Sequence, residues 1–179
     1  ATGRLYLAPN PRVVRLADHD GQVVQFVLMP YPTARCYLSE AGAQYHTIEE
    51  KHRAIQQAFT RTLQILQQQL NPALPSVLVS HIHVRGIRAH NLYRVSEVED
   101  IVFEPTDIPT HFAYVAYGHV HKPQEAVSGA RHVRYCGSIE RFDLGDADDP
   151  KSVVLCDVRQ SGLVGAPRLL PLDATPIYR

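Results

Sequence analysis

The chain has 179 residues, of which 18 are lysine or arginine and 18 are aspartate or glutamate, so its formal net charge is zero. A chain of this length with an ordinary apolar content accommodates one globular domain with its own core. The balanced charge excludes a strong overall field for nucleic acid or membrane, so any contact with a polyanion depends on local clusters.

Three cysteines, Cys36, Cys136 and Cys156, are widely spaced and form no Cys-x-x-Cys pair. This pattern indicates neither a disulfide framework nor a thiolate zinc site, and it predicts reduced thiols in a cytoplasmic protein. We find no signal peptide and no apolar stretch near the roughly 20 residues that cross a bilayer, so we expect no membrane partner. The chain begins with Ala1 rather than Met, which favours its being a fragment.

The first predicted elements are a hairpin and a long helix. Residues 12–16 and 22–29 are apolar-rich strand segments, and the Asp- and Gly-containing stretch between them has the composition of a hairpin turn. Over residues 46–70, apolar residues recur at three- and four-residue steps, and Thr47 with Glu50 forms a candidate capping box. We interpret this helix as one that covers the core, with partner binding as the lesser alternative.

Short apolar runs beyond the helix predict the strands of a layered α/β fold. Residues 77–79 form a continuous apolar run of the kind that is buried on both faces of a sheet. Residues 82–111 show no clear period, so we interpret them as a long excursion between two core strands, a length that usually has a functional reason. The remaining predicted strands lie at 113–117, 133–135, 152–158 and 169–170.

A Gly-His-x-His sequence at residues 118–121 is the strongest functional signal in the chain. Alternate residues of an extended chain point to the same side, so His119 and His121 can converge on one ion, and Gly118 lets the backbone turn without steric cost. His81 ends the strand before the excursion, and ligands of open α/β sheets bind beyond the carboxyl ends of the strands. The three imidazoles are candidate metal ligands, and the alternative is that each is a hydrogen-bonded surface residue.

Other polar residues near this crevice are weaker candidates. We interpret His83 and His90 as solvated loop residues rather than ligands. Six arginines are either phosphate contacts or, as we favour, a solvated rim. They are Arg85, Arg88, Arg94, Arg131, Arg134 and Arg141.

Four segments occur in a specific order along the chain. They are Val79-Ser80-His81, the segment from Tyr114 to Gln124 that contains Gly-His-x-His, Tyr135-Cys136-Gly137-Ser138-Ile139-Glu140-Arg141, and Lys151-Ser152-Val153-Val154. In that order they resemble the second half of the calcineurin-like metallophosphoesterases and, within that superfamily, the SbcD-type DNA repair exonucleases. The resemblance implies an α/β fold, half of a metallophosphoesterase β-sandwich flanked by helices and built on a mixed sheet.

The resemblance also implies a phosphodiesterase with two divalent metal ions, usually manganese in such nucleases, with magnesium, iron or zinc as alternatives. Carried over by position, His81 and His119 would hold one ion and His121 the other, and Gly137 and Ser138 would shape a nearby loop. Paired ions about 3.5–4 Å apart bind the scissile phosphate, supply hydroxide near neutral pH and stabilise the leaving oxygen. The implied partners are DNA and an SbcC-type ATPase.

The chain departs from this family in its acidic motifs. We interpret the chain as lacking an Asp-x-His at the end of an amino-terminal strand, and as lacking Gly-Asp-x-x-Asp and Gly-Asn-His throughout its length. In the family these motifs supply the other ligands and the acid near the leaving group. Three imidazoles without carboxylates do not neutralise two dications, so we expect manganese or magnesium to bind poorly. We therefore expect residues 1–179 to be the carboxyl-terminal half of a nuclease domain, without its amino-terminal half and capping domain, and inactive alone.

Loss of the first half would bare an inner apolar face, so we expect a homodimer or pairing with the other half. Two further functions stay open: a metallophosphoesterase that acts on small phosphodiesters or phosphoproteins, and a noncatalytic scaffold that keeps the fold after losing its metals. The long excursion and the Tyr-x-Gly-Ser-x-Glu-Arg stretch favour the nuclease.

Overall fold

The computed structural model describes residues 5–38, 44–87 and 100–177. His90, Arg88 and Arg94 therefore lie outside the described residues. The helices are α1 (Ala34–Tyr37) and α2 (Ile48–Gln68), and single 3₁₀ turns span Pro105–Asp107 and Leu144–Asp146. The strands are β1 (Arg12–Ala17), β2 (Val23–Met29), β3 (Ser76–His81), β4 (His83–Val84), β5 (Val102–Phe103), β6 (Tyr114–Gly118), β7 (Gln124–Glu125), β8 (Val133–Tyr135), β9 (Ser152–Arg159) and β10 (Gly162–Pro171).

Six of the strands form one mixed sheet in the order β1-β2-β3-β6-β8-β7. The edge pairs β1 with β2 and β7 with β8 are antiparallel, whereas β2, β3, β6 and β8 run parallel to one another. The predicted α/β class with a mixed sheet is confirmed. Because parallel strands end at the same edge, the residues that follow β3 and β6 come together there.

One face of this sheet holds the core. Val27, Leu78, Val115 and Val133 face one another across four neighbouring strands, and each is 0% exposed. Burying a side chain of this kind contributes about 1.5–3 kcal/mol. The cluster also includes Ile55, Phe59, Leu63 and Leu66 of α2. The predicted role of the long helix as the cover of the core is confirmed.

The start of α2 follows its predicted signal with one difference. The Thr47 hydroxyl accepts a hydrogen bond from the Glu50 backbone N–H at 3.1 Å, as a capping box requires. The Glu50 carboxylate, however, accepts from the N–H of His46 at 2.8 Å rather than from that of Thr47. No helix in the described part of the chain has the length and apolar character needed to cross a membrane.

The opposite face of the sheet is incompletely covered. Val79, on the central strand β3, is 37% exposed, although parallel sheets ordinarily have both faces buried. The hairpin of β9 and β10 forms a separate two-stranded sheet, and its Val153, Leu155 and Leu170 are each 41% exposed. Aliphatic surface therefore remains in contact with solvent at Val79 of the sheet and on the hairpin.

Several elements were not predicted or were underestimated. The excursion over 82–111 contains two short strands, β4 and β5, which pair in parallel with each other. The strand expected at 169–170 is part of the ten-residue β10, which pairs with β9 through a register shift between Val164 and Arg168. Neither β7 nor α1 was expected. All of these elements are either very short or stabilised by a distant partner, so local periodicity carries little sign of them.

A buried tyrosine joins the first end of the excursion to the sheet. Tyr135, on β8, is 0% exposed, and its hydroxyl accepts from the Val84 N–H at 3.0 Å and donates to the Ile82 carbonyl at 2.9 Å. Burial raises the pKa of Tyr135, so the hydroxyl stays protonated and able to donate. These two bonds hold β4 against the sheet.

We expect Tyr135→Phe to lower the free energy of unfolding by about 1–3 kcal/mol, because it leaves the Val84 N–H and the Ile82 carbonyl unpaired in the interior. Urea denaturation followed by circular dichroism measures the change. The exposed Tyr6 offers a control, and Tyr6→Phe should alter the free energy by less than about 0.5 kcal/mol. Equal stability of the two variants would contradict the anchoring role of Tyr135.

Candidate metal centre

Two of the predicted ligands meet where β3 and β6 end. The parallel register places His81 beside Gly118, and His119 follows directly. The ring centroids of His81 and His119 lie 5.4 Å apart, with planes at 85°. A metal–nitrogen distance of about 2.0–2.1 Å puts the centroids of two imidazoles on one ion about 5 Å apart. The observed separation fits a shared ion.

Gly118 serves a different purpose from the predicted one. The backbone of Gly118 does not have a positive φ, and the turn is made instead by His119, whose φ is +99°. A β-carbon at Gly118 would lie 2.7 Å from Nδ1 of His81, so glycine provides the space that the imidazole occupies. A non-glycine residue in such a conformation costs about 1–3 kcal/mol, a strain that often accompanies functional sites.

The electrostatics of both histidines suit metal binding. Burial lowers the pKa of His81, and the nearby His119 and His121 lower it further. Burial also lowers the pKa of His119, which Asp100 raises in part while His83 and His121 lower it. Both rings are therefore neutral near pH 7, as a ligand must be. Among the described residues, no hydrogen-bond partner reaches the buried Nε2 of His119.

All three predicted ligands line one cavity of about 440 Å³, together with His83, Gly137 and Ser138. His121 thus shares the cavity with His81 and His119, and its proximity lowers the pKa of both. Within residues 5–38, 44–87 and 100–177, however, no three or more His, Cys, Asp and Glu side chains form a group arranged to hold an ion. The described residues provide a close pair and a third imidazole nearby, and their role as ligands remains a prediction.

The interpretation of His83 as a solvated loop residue is wrong. His83 lies in β4 and is 5% exposed, and its ring centroid is 5.3 Å from that of His119 at 80°. The signal was available, because His81 and His83 repeat the His-x-His spacing found at 119–121. Tyr31, just after β2, was also missed; its ring meets His81 edge-on at 5.8 Å and stacks on His119 at 6.3 Å.

The segment from Gly137 to Lys151 packs against His121, the third histidine, and is here named the His121 loop. The Ser138 N–H donates to the His121 carbonyl at 3.0 Å, and a β-carbon at Gly137 would lie 2.8 Å from that oxygen. Lys151 donates to the Ser138 hydroxyl at 2.9 Å and to the same His121 carbonyl at 3.4 Å. The sequence-based assignment of Gly137 and Ser138 to a loop beside the site agrees with this packing.

A buried carboxylate in this loop meets the imidazole itself. Oδ2 of Asp146 lies 3.2 Å from Nδ1 of His121 and 3.4 Å from Nζ of Lys151, and it accepts from the Phe142 N–H at 3.2 Å. Burial alone would raise the pKa of Asp146, but the Phe142 N–H and Lys151 outweigh it, and the pKa is lowered. The carboxylate is therefore ionised.

The interpretation that the chain lacks Gly-Asp-x-x-Asp throughout is wrong, and Asp146 belongs to such a motif. Residues 145–149 read Gly-Asp-Ala-Asp-Asp, which has the Gly-Asp-x-x-Asp spacing, but they follow the three histidines instead of preceding them. Oδ2 of Asp146 bonds to Nδ1 of His121, a candidate ligand, so Asp146 lies beside that ligand. Through this oxygen Asp146 bonds to the candidate ligand rather than to an ion.

The described arginines are mostly engaged within the protein. Arg85 pairs with Glu104 at 2.7 Å, and Arg134 lies 3.7 Å from the carboxylate of Glu125 in β7. Arg141 donates to backbone carbonyls, including that of Ala174 at 2.8 Å. These contacts argue against a phosphate-binding cluster for the three residues. Arg85 is 46% exposed, as expected of the predicted solvated rim, whereas Arg134 is only 14% exposed.

Comparison with known proteins gives a partial similarity. The chain is 32% identical over 84 residues to the SbcD component of the nuclease SbcCD from Bacillus subtilis (strain 168). The match covers 46% of this chain and spans 22% of the length of that relative. No protein-family model matches the chain. Over part of its length, the chain is thus similar to an SbcD-type nuclease component.

We expect Gly137→Ala to destabilise the protein more than Gly129→Ala does. Both glycines have a φ near +80°, so each substitution costs roughly 1–2 kcal/mol of backbone strain. At Gly129 nothing lies within 4 Å of the new carbon, whereas at Gly137 it meets the His121 carbonyl and Pro123, which adds about 1–3 kcal/mol. Urea denaturation of the two variants measures the difference, and equal losses would contradict the close packing of the His121 loop.

Proposed function

We propose that this chain provides the three-histidine side of a two-metal centre in an SbcD-type DNA nuclease. The observation that carries the proposal is the pair of imidazoles at the ends of β3 and β6, with ring centroids 5.4 Å apart. The buried Nε2 of His119, which has no partner among the described residues, adds to it. The partial similarity to the SbcD component of a nuclease supports DNA as the substrate and an SbcC-type ATPase as the partner. This role would place the protein in the cytoplasm, beside the DNA.

The donor set fits divalent transition metals. Neutral imidazole suits zinc, iron and, beside oxygen ligands, manganese, which we propose as the working metal. In this arrangement His81 and His119 hold one ion and His121 the other. When bound, such paired ions polarise the phosphate and supply hydroxide near neutral pH. The protein orients the imidazoles through the strand ends and the His121 loop.

The charge of this donor set supports a half-domain. Three imidazole ligands do not by themselves neutralise two dications, and hard ions such as manganese require oxygen ligands. The carboxylates of the proposed centre would then come from an amino-terminal half-domain with the Asp-x-His, Gly-Asp-x-x-Asp and Gly-Asn-His motifs.

The incompletely covered face of the sheet supports the same conclusion by a separate route. Val79 is exposed at the centre of a parallel sheet, and Val153, Leu155 and Leu170 add aliphatic surface on the neighbouring hairpin. Exposed apolar residues mark a protein contact where they form one contiguous patch. We propose that the other half of the domain covers it, and that in its absence a second copy of this chain does so.

We expect the isolated chain to show no cleavage of duplex DNA with manganese, because none of the three family motifs Asp-x-His, Gly-Asp-x-x-Asp and Gly-Asn-His precedes His81. Addition of an SbcD amino-terminal half with these three motifs should restore manganese-dependent cleavage. A gel assay with end-labelled duplex measures both states. Robust turnover by the chain alone would contradict the half-domain, and failure of the mixture to cleave any duplex would count against the nuclease.

The matched controls for this assay are two histidine variants. His119→Ala should reduce the restored activity by at least about 100-fold, since loss of a direct ligand exceeds the 10–100-fold typical of an outer partner. His19, whose side chain is 90% exposed in the hairpin turn, should tolerate His19→Ala without loss. Equal activity of the two variants would remove His119 from the centre.

We expect the chain to self-associate, and Val79→Lys to weaken this association, because a charge on the open face opposes its burial. Sedimentation velocity over a concentration series measures the effect. Ile65→Lys is the control, since Ile65 is 57% exposed on α2, away from the open face. A monomer at all concentrations, or equal association of both variants, would contradict the proposed contact.

A further inference from the structure

Asp146 is an unusual residue for the loop in which it lies. It is 0% exposed, it ends a short 3₁₀ turn, and it is 25 residues from His121 in the chain. One oxygen, Oδ2, meets Nδ1 of His121, Nζ of Lys151 and the Phe142 N–H at 3.2–3.4 Å. Burying a charge of this kind is costly, so the contacts that compensate the Asp146 carboxylate indicate its role.

The chemistry of the contact selects one form of the imidazole. An ionised carboxylate only accepts hydrogen bonds, so the nitrogen that faces it must carry a proton. In a neutral ring the other nitrogen then has a free electron pair. In His121 the nitrogen that faces the carboxylate is Nδ1, at 3.2 Å from Oδ2, so Nε2 is the atom that this contact leaves for an ion.

Lys151 holds the carboxylate in place. Its side chain is 0% exposed, and its ammonium group contacts Oδ2 of Asp146, the Ser138 hydroxyl and the His121 carbonyl. Lys151 thus connects the Asp146 carboxylate to the backbone of His121, whose ring the same carboxylate contacts. The Phe142 ring, 5.3 Å from that of His121, limits the imidazole from a further side.

We propose that Asp146, held by Lys151, is a positioning residue that fixes His121 in the tautomer with its proton on Nδ1 and presents Nε2 to a metal ion. This inference rests on the proposed function for the identity of the ligand, but the tautomer is a property of the metal-free protein. Carboxylates that bond to the outer nitrogen of a ligand histidine commonly orient it and raise its basicity. Asp146 itself touches no ion.

The tautomer can be read directly in the 179-residue chain. Two-bond proton–nitrogen correlation spectra of the ¹⁵N-labelled, metal-free protein at about pH 8.5, where imidazole is neutral, distinguish the protonated nitrogen from the bare one. His121→Gln identifies the His121 signals by their loss. We expect a single tautomer with the proton on Nδ1 in the unmodified chain and a mixture of tautomers in Asp146→Asn.

The second readout is zinc affinity, measured by competition with a chromophoric chelator. Asp146→Asn should weaken zinc binding about 10–100-fold, the range for loss of an outer-shell carboxylate. Asp148→Asn is the matched control, because it makes the same change at an exposed position of the same loop, and both readouts should stay unchanged. Asp146→Asn leaves the buried Lys151 ammonium without its carboxylate. If this prevents folding, the double variant Asp146→Asn with Lys151→Met, which removes the buried charge, should show the same mixture of tautomers.

Each outcome separates the two proposals. A proton on Nε2 in the unmodified chain, or an Asp146→Asn variant with unchanged tautomer and unchanged zinc affinity, would overturn the positioning role. A purely structural role predicts lower stability with the tautomer retained, which also overturns it. If the tautomer is fixed as expected but zinc does not bind the unmodified chain, the metal centre of the proposed function fails while the role of Asp146 in fixing the ring stands.

Discussion

The candidate site depends on the parallel pairing of β3 with β6. Their register sets His81 beside Gly118, and the missing side chain at Gly118 leaves the space that the His81 ring fills. His119 follows at once and brings its own ring within 5.4 Å. The pairing is in turn held by the buried row that contains Leu78 and Val115, so the hydrophobic core of the sheet determines the separation of the two imidazoles.

The stability of that core offsets two unfavourable features at the same edge. His119 has a backbone conformation that side chains other than glycine rarely adopt, and Asp146 is a carboxylate buried beside Lys151. Neither is needed to close the sheet. Strain and buried charge are instead found where a protein must hold functional groups in one arrangement, and both lie against the candidate ligands here.

The two faces of the sheet have different environments. The face under α2 is completely buried along its central row, whereas the other leaves Val79 in contact with solvent. The imidazoles sit at the edge between the faces, where the described His, Cys, Asp and Glu side chains form no group of three or more arranged to hold an ion. In the proposed two-metal centre, a second half-domain placed on the incompletely covered face would supply both the cover and the remaining charge.

By itself the sequence determined the local elements and the identity of the central residues. Periodicity and the Thr47 cap located α2, the turn composition located the first hairpin, and the positions of His81, His119 and His121 after apolar runs placed them at strand ends. Only the tertiary structure decided the burial of His83, the space role of Gly118 and the contact of Asp146 with His121. These depend on pairings between residues far apart in the chain, whose register and loop closure leave no periodic trace in the local sequence.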